Sequence, residues 1–165
     1  MPATEQRRVF AEGPLVVDGV GLPFYQRRKV FAGAARTLTQ DDSGALCQFS
    51  TAAGYAYTLP AITAENLGIW FDFLVTTTIT TVGARAVCAT GDFIFGSFIQ
   101  SPDGTTLLAA HPANGTTHLA IDMNGTTTGG YSGDHYRLTA INATMWAVQG
   151  VGLATGTEAT PFATS

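Results

Sequence analysis

The chain has 165 residues, enough for one domain with an ordinary core; 45% are hydrophobic, only 12% are charged, and 19 are glycine. That charged share is about half of the ~25% usual for a soluble domain, and with abundant Thr and Gly it excludes a mainly helical chain and favours strands. The net charge of −4 is uneven: residues 1–36 carry six basic against three acidic residues (+3), and residues 37–165 carry two against nine (−7).

Residues 1–36 read as an extended basic arm. Pro14 and Pro23 break any helix. Two similar phrases, "QRRVFAEG" and "QRRKVFAG", each place a basic cluster beside an aromatic anchor. The residues that follow as partner contacts are Arg7, Arg8, Phe10, Arg27, Arg28, Lys29 and Phe31, an apolar grip ringed by charge. The alternative is that the same charges touch the acidic body of their own chain. Nucleic acid fits poorly, because aromatics are not regularly interleaved with the basic residues. The run after Arg7 and Arg8 is broken by Glu12, so no secretory leader is expected, and no stretch is long and apolar enough to span a bilayer.

From Thr37 onward the hydrophobic period is two, which sets residues 37–165 apart as a β domain. "ALCQFS" puts Ala45, Cys47 and Phe49 on one face; "YAYTLP" does the same with Tyr55, Tyr57 and Leu59, and "TAAG" between them reads as a hairpin loop. A short turn near residues 63–66 leads to "GIWFDFLV", where Ile69, Phe71, Phe73 and Val75 oppose Trp70, Asp72 and Leu74; "TTTITT" reads as its continuation. "ARAVCA" and "FIFGSFI" make two more strands, and Pro102 sets the turn in "SPDG". "THLAIDM", "HYRLTAI" and "MWAVQGVGL" complete the set, and the small polar tail "GTEATPFATS" is expected along a surface. Trp70, Phe71, Phe73 and Trp146 are the expected core or subunit-interface anchors. The fold class is therefore all-β, an antiparallel sandwich or barrel-like domain with an extended N-terminal arm.

No residue set reads as catalytic, and neither a metal nor a cofactor is expected. His118 and Asp122 are four apart on one strand, ~13 Å along an extended chain and too far for one ion. Ser132, Asp134 and His135 are too close in sequence for triad geometry, and no nucleophile elbow or phosphate-binding loop occurs. Cys47 and Cys88 are expected free and buried. The repeated Asn-Gly-Thr-Thr of residues 114–117 and 124–127 matches the glycosylation pattern, but is read more simply as two Asn-Gly β turns bracketing a strand.

"RTLTQDDSGALCQFSTAAGYAYTLPA", "LGIWFDFLVT", "NGTTHLAIDMNGTTTGG", "YRLTAINATMWAVQG" and the closing "TPFATS" resemble phrases of bacteriophage virion proteins, over about residues 35–165. The likeness is greatest to the small capsid decoration (cement or head) proteins of tailed phages; related phrases occur in tail-fibre and tail-spike modules. The resemblance implies a non-enzymatic β-rich protein, often a homotrimer, that binds the major capsid protein on the outside of the head and stabilises the lattice. It implies a place on the virion surface, with assembly in the host cytoplasm and no membrane partner. The alternative it leaves is a tail module for head attachment or carbohydrate receptor binding. A polysaccharide hydrolase is a third class, with no acid pair to carry it.

Overall fold

The computed structural model describes residues 16–17, 20–21, 28–81, 83–103 and 107–165. Arg7, Arg8, Phe10 and Arg27 of the expected arm lie outside the described residues. Strands β1 (Val16–Val17) and β2 (Val20–Gly21) form a short antiparallel pair of their own. The remaining strands are β3 (Val30–Phe31), β4 (Arg36–Thr37), β5 (Leu46–Phe49), β6 (Ala56–Thr58), β7 (Trp70–Val75), β8 (Ala84–Val87) and β9 (Phe93–Pro102). They continue with β10 (Ala109–Asn114), β11 (Ala120–Met123), β12 (His135–Asn142), β13 (Met145–Ala154) and β14 (Phe162–Ala163). These build a seven-stranded sheet, β10-β9-β13-β12-β7-β5-β3, and a five-stranded sheet, β14-β11-β8-β6-β4.

The all-β sandwich-like expectation holds, but the pairing is mixed. Residues 28–88 wind as a flattened coil, with β3, β5 and β7 in the large sheet and β4, β6 and β8 in the small one. Successive turns therefore stack in parallel: Val30 on Leu46 on Asp72 in one sheet, Arg36 on Tyr57 on Ala86 in the other. β9 and β13 also pair in parallel, over ten residues. "TAAG" is thus a crossover between sheets and not a hairpin loop. Likewise "TTTITT" does not extend β7, which ends at Val75. The threonines turn the chain toward the other sheet; Thr76 and Thr77 both donate their N–H groups to the Phe49 carbonyl, at 3.0 and 3.2 Å. Alternation fixes which face of a strand is buried, but it does not say which sheet the next strand joins.

The core lies between the sheets and follows the expected alternation: Ala45, Cys47 and Phe49, then Phe71, Phe73 and Val75, then Tyr136, Leu138 and Ala140, all buried. Aromatic contacts run through it. Phe73 stacks on Tyr136 with centroids 4.8 Å apart, Tyr57 reaches Phe73 from the small sheet at 5.8 Å, and Phe71 meets Trp146 at 5.9 Å. Gly150 makes room for this packing, since a Cβ there would lie 2.8 Å from the Phe98 ring. Cys47 and Cys88 are free and buried, and burial pushes each thiol up to about 12. The tail departs from expectation: Phe162 is buried in the core cluster, and β14 adds an edge strand to the small sheet.

Candidate functional site

Residues 28–37, the end of the expected arm of residues 1–36 and the first residue of the β domain, form a strap joining the same edge of both sheets through β3 and β4. Its first residue reaches into the outer face of the large sheet. The Arg28 Nη2 donates to Asp72 Oδ2 at 2.7 Å and its Nε to the Gly44 carbonyl at 2.8 Å. Arg137, opposite Asp72 on β12, grips the same carboxylate with two bonds, Nε to Oδ1 at 2.7 Å and Nη2 to Oδ2 at 2.9 Å. Both guanidinium groups lie over the Trp70 ring, at 5.0 Å for Arg28 and 4.0 Å for Arg137, and His135 Nε2 is 3.8 Å from Asp72. Burial alone would raise the Asp72 pKa, but the bonds from Arg137 and Arg28 outweigh it and hold the carboxyl below its ordinary range.

The next strap residues repeat this theme. Lys29 Nζ pairs with Asp42 Oδ1 at 3.0 Å and bonds the Asp41 carbonyl. Burial of Asp42 is likewise outweighed, by Lys29 and by N–H and O–H bonds from Thr39, so its pKa is lowered. Phe31 lies under the Arg36 guanidinium at 3.8 Å, its carbonyl bonded by the Tyr57 hydroxyl at 2.9 Å. The Tyr55 hydroxyl accepts the Gly33 N–H at 2.9 Å and donates to the Gln48 carbonyl. Arg28, Lys29 and Phe31 therefore contact their own chain, although the side chains of Arg28 and Lys29 remain 43% and 52% exposed. Of the four aromatic anchors, Phe71, Phe73 and Trp146 are core residues, and Trp70 is half-buried on the outer face.

Asp72 was not legible as the hub of this cluster. The signal was a lone acid in an apolar strand, two residues from a tryptophan on the same face. Its partners came from segments 44 residues upstream and 65 residues downstream.

The residues considered for chemistry are not brought together. The Ser132 hydroxyl donates to the Thr76 carbonyl, and Asp134 accepts N–H bonds from Gly130, Tyr131 and Leu153 at 2.7, 3.1 and 2.8 Å. His118 stacks on Phe162 at 5.4 Å while Asp122 pairs with Arg85 at 3.1 Å. Among the described residues, no group of three or more His, Cys, Asp or Glu side chains is placed to hold a metal ion.

The two Asn-Gly-Thr-Thr segments are corners. Asn114 Oδ1 accepts the N–H groups of Thr116 and Thr117, and Asn124 Oδ1 those of Thr126 and Thr128. In both, the Asn Nδ2 bonds the hydroxyl of the second Thr, Thr117 or Thr127. The first carries the chain from β10 to the small sheet and the second back toward β12, so they bracket a strand as expected but close no two-residue hairpin. The chain matches no protein-family model, no curated protein and no solved structure in the three comparisons made.

Proposed function

We propose that this protein is a non-enzymatic virion surface module that binds the outside of a phage capsid and stabilises the lattice, assembling with copies of itself as a trimer. The observation that carries this reading is that the basic segment, where it enters the fold, is built into an edge strap across both sheets. A segment so anchored hands strain from a lattice contact directly to the sandwich. The resemblance over residues 35–165 supports the same reading. So does the low charge, which suits a surface covered by neighbours. The partner is the major capsid protein, and repeated presentation on an assembly raises avidity by roughly 10²–10⁴ where geometry allows.

The test is co-sedimentation with undecorated heads of the phage that encodes the chain. The strap belongs to the fold, so the truncation should stop before Arg28. Full-length protein is expected to pellet with heads, and a chain lacking residues 1–27 to pellet at least about tenfold more weakly. No pelleting of the full-length chain would overturn the decoration role. Antibody label at the tail of whole virions would establish the tail-module alternative instead.

A further inference from the structure

The ion pairs among the described residues are not built alike. Lys29 with Asp42 and Arg85 with Asp122 each match one cation to one acid. Asp72 is shared by two guanidinium groups, Arg28 from the strap and Arg137 from β12. This cluster therefore keeps an excess of one positive charge, in a chain whose residues 37–165 hold two basic against nine acidic residues. Its charges are also layered. The Asp72 side chain is 4% exposed, while those of Arg28 and Arg137 are 43% and 47% exposed above it. A group arriving from solvent meets the cations first and the acid last, so the attraction outweighs the repulsion. Each guanidinium spends its Nε and Nη2 on acceptors of its own chain, and among the described residues neither Nη1 donates a bond.

We propose that this cluster, on the outer face of the large sheet over β7 and β12, is the docking site for an acidic peptide segment of the partner protein. Charge complementarity selects the occupant. A carboxylate suits the N–H groups left on the two Nη1 atoms, because guanidinium–carboxylate bonds are short and directional. Both arginines are already held, by Asp72 below and by the Trp70 ring at 5.0 and 4.0 Å, so little side-chain freedom is lost on binding. A nucleic acid fits poorly, since it needs cations along a track and here one spot of excess charge sits on an acidic body. Apolar side chains flank the charge. In the pairing register Leu74 and Val151 stand on either side of His135, and Val151 is 57% exposed. The segment that fits carries Glu or Asp next to an apolar residue. The inference rests on the proposed function for the identity of the partner, and the site itself is tested without heads.

The experiment is fluorescence anisotropy of a short fluorescein-labelled peptide of alternating Glu and Val, titrated with the full chain at low salt. The same peptide with Gln in place of Glu is the control. Gln149 is exposed and stands directly across from Arg137 on β13. Gln149→Glu therefore cancels the excess charge without removing a bond of the cluster, and Gln149→Met keeps the size and adds no charge. The Glu peptide is expected to bind the wild type and to change the emission of Trp70. Gln149→Glu should weaken binding at least about tenfold and Gln149→Met leave it unchanged, both keeping the circular dichroism of the fold. Arg7, Arg8 and Arg27 are intact in both variants, so the loss locates binding at this face. No binding of the Glu peptide, equal binding of the Gln peptide, equal binding by Gln149→Glu, or tighter binding of single-stranded DNA overturns the proposal. Co-sedimentation with heads separates this inference from the reading it rests on. Gln149→Glu pelleting as well as the wild type overturns the inference alone. A wild type that does not pellet overturns the decoration role, and the peptide titration then decides the site by itself.

Discussion

A carboxylate on the outer side of a strand is ordinarily solvated, yet Asp72 is only 3% exposed because two arginines close over it. Its three charged hydrogen bonds come from Arg28 and Arg137, far apart in the chain, so it couples the strap to the sheet. The arginines are half-exposed and water shares their charge, which makes the carboxylate the partner whose loss costs most. Asp72→Asn keeps the shape but leaves two guanidinium groups facing a neutral amide. It is expected to lower unfolding stability by about 2 kcal/mol in urea titrations. Arg137→Ala alone should cost about 1 kcal/mol, and the double variant less than the sum, because the two residues share one interaction. An additive double variant would show that the cluster is not a coupled unit.

At the scale of elements, the two Asn-Gly-Thr-Thr corners make a matched comparison. Their hydrogen bonds are alike and both glycines have positive φ, +72° at Gly115 and +79° at Gly125. Their surroundings are not alike. A Cβ at Gly115 would meet the Met145 and Phe95 side chains at 3.4 Å, whereas at Gly125 it would lie 1.7 Å from the Ile79 carbonyl oxygen. Gly115→Ala is therefore expected to cost about 1–2 kcal/mol of backbone strain, and Gly125→Ala several times that, read as a larger fall in thermal midpoint or loss of soluble protein. Equal costs would mean that the corner at Gly125 can shift away from Ile79. The repeat itself was legible as turn chemistry, and so were the buried faces of β5, β7, β12 and β13, because both follow from local rules of side-chain period and Asn-Gly geometry. The coil of residues 28–88 was not legible. Whether "TAAG" returns a strand to its own sheet or sends it across depends on what waits on the other side, Tyr57 beneath Phe73, and no local pattern encodes that. The burial of Phe162 was hidden for the same reason: one aromatic in a small polar tail is anchored only by tertiary contact.

At the scale of the whole molecule, the four buried carboxylates among the described residues divide into opposed pairs. Asp72 and Asp42 have folded pKa values held below the ordinary 3.8 by their cationic and hydrogen-bond partners. Their contribution is present above pH 3.8 and is lost as pH falls through the lowered folded values, because the unfolded chain binds protons first. Asp134 and Asp92 are shifted the other way. Burial raises both, and backbone N–H bonds offset it only in part. Protonation of these two favours the folded state, so their contribution is full below 3.8 and is lost as pH rises through the raised folded values. Stability therefore falls toward acid on account of Asp72 and Asp42, and falls again above the ordinary carboxyl range on account of Asp134 and Asp92, leaving these four groups most favourable in mildly acid solution. Thermal midpoints across pH should show both limbs. Asp72→Asn is expected to flatten the acid limb while leaving the other unchanged. Asp134→Asn removes the titrating group while keeping one of the two acceptor oxygens, so it loses the N–H bonds to the other, and it should flatten the limb on the alkaline side of pH 4. If Asp134→Asn leaves that limb intact, its carboxyl is not titrating with folding, and the three N–H bonds compensate its burial in full.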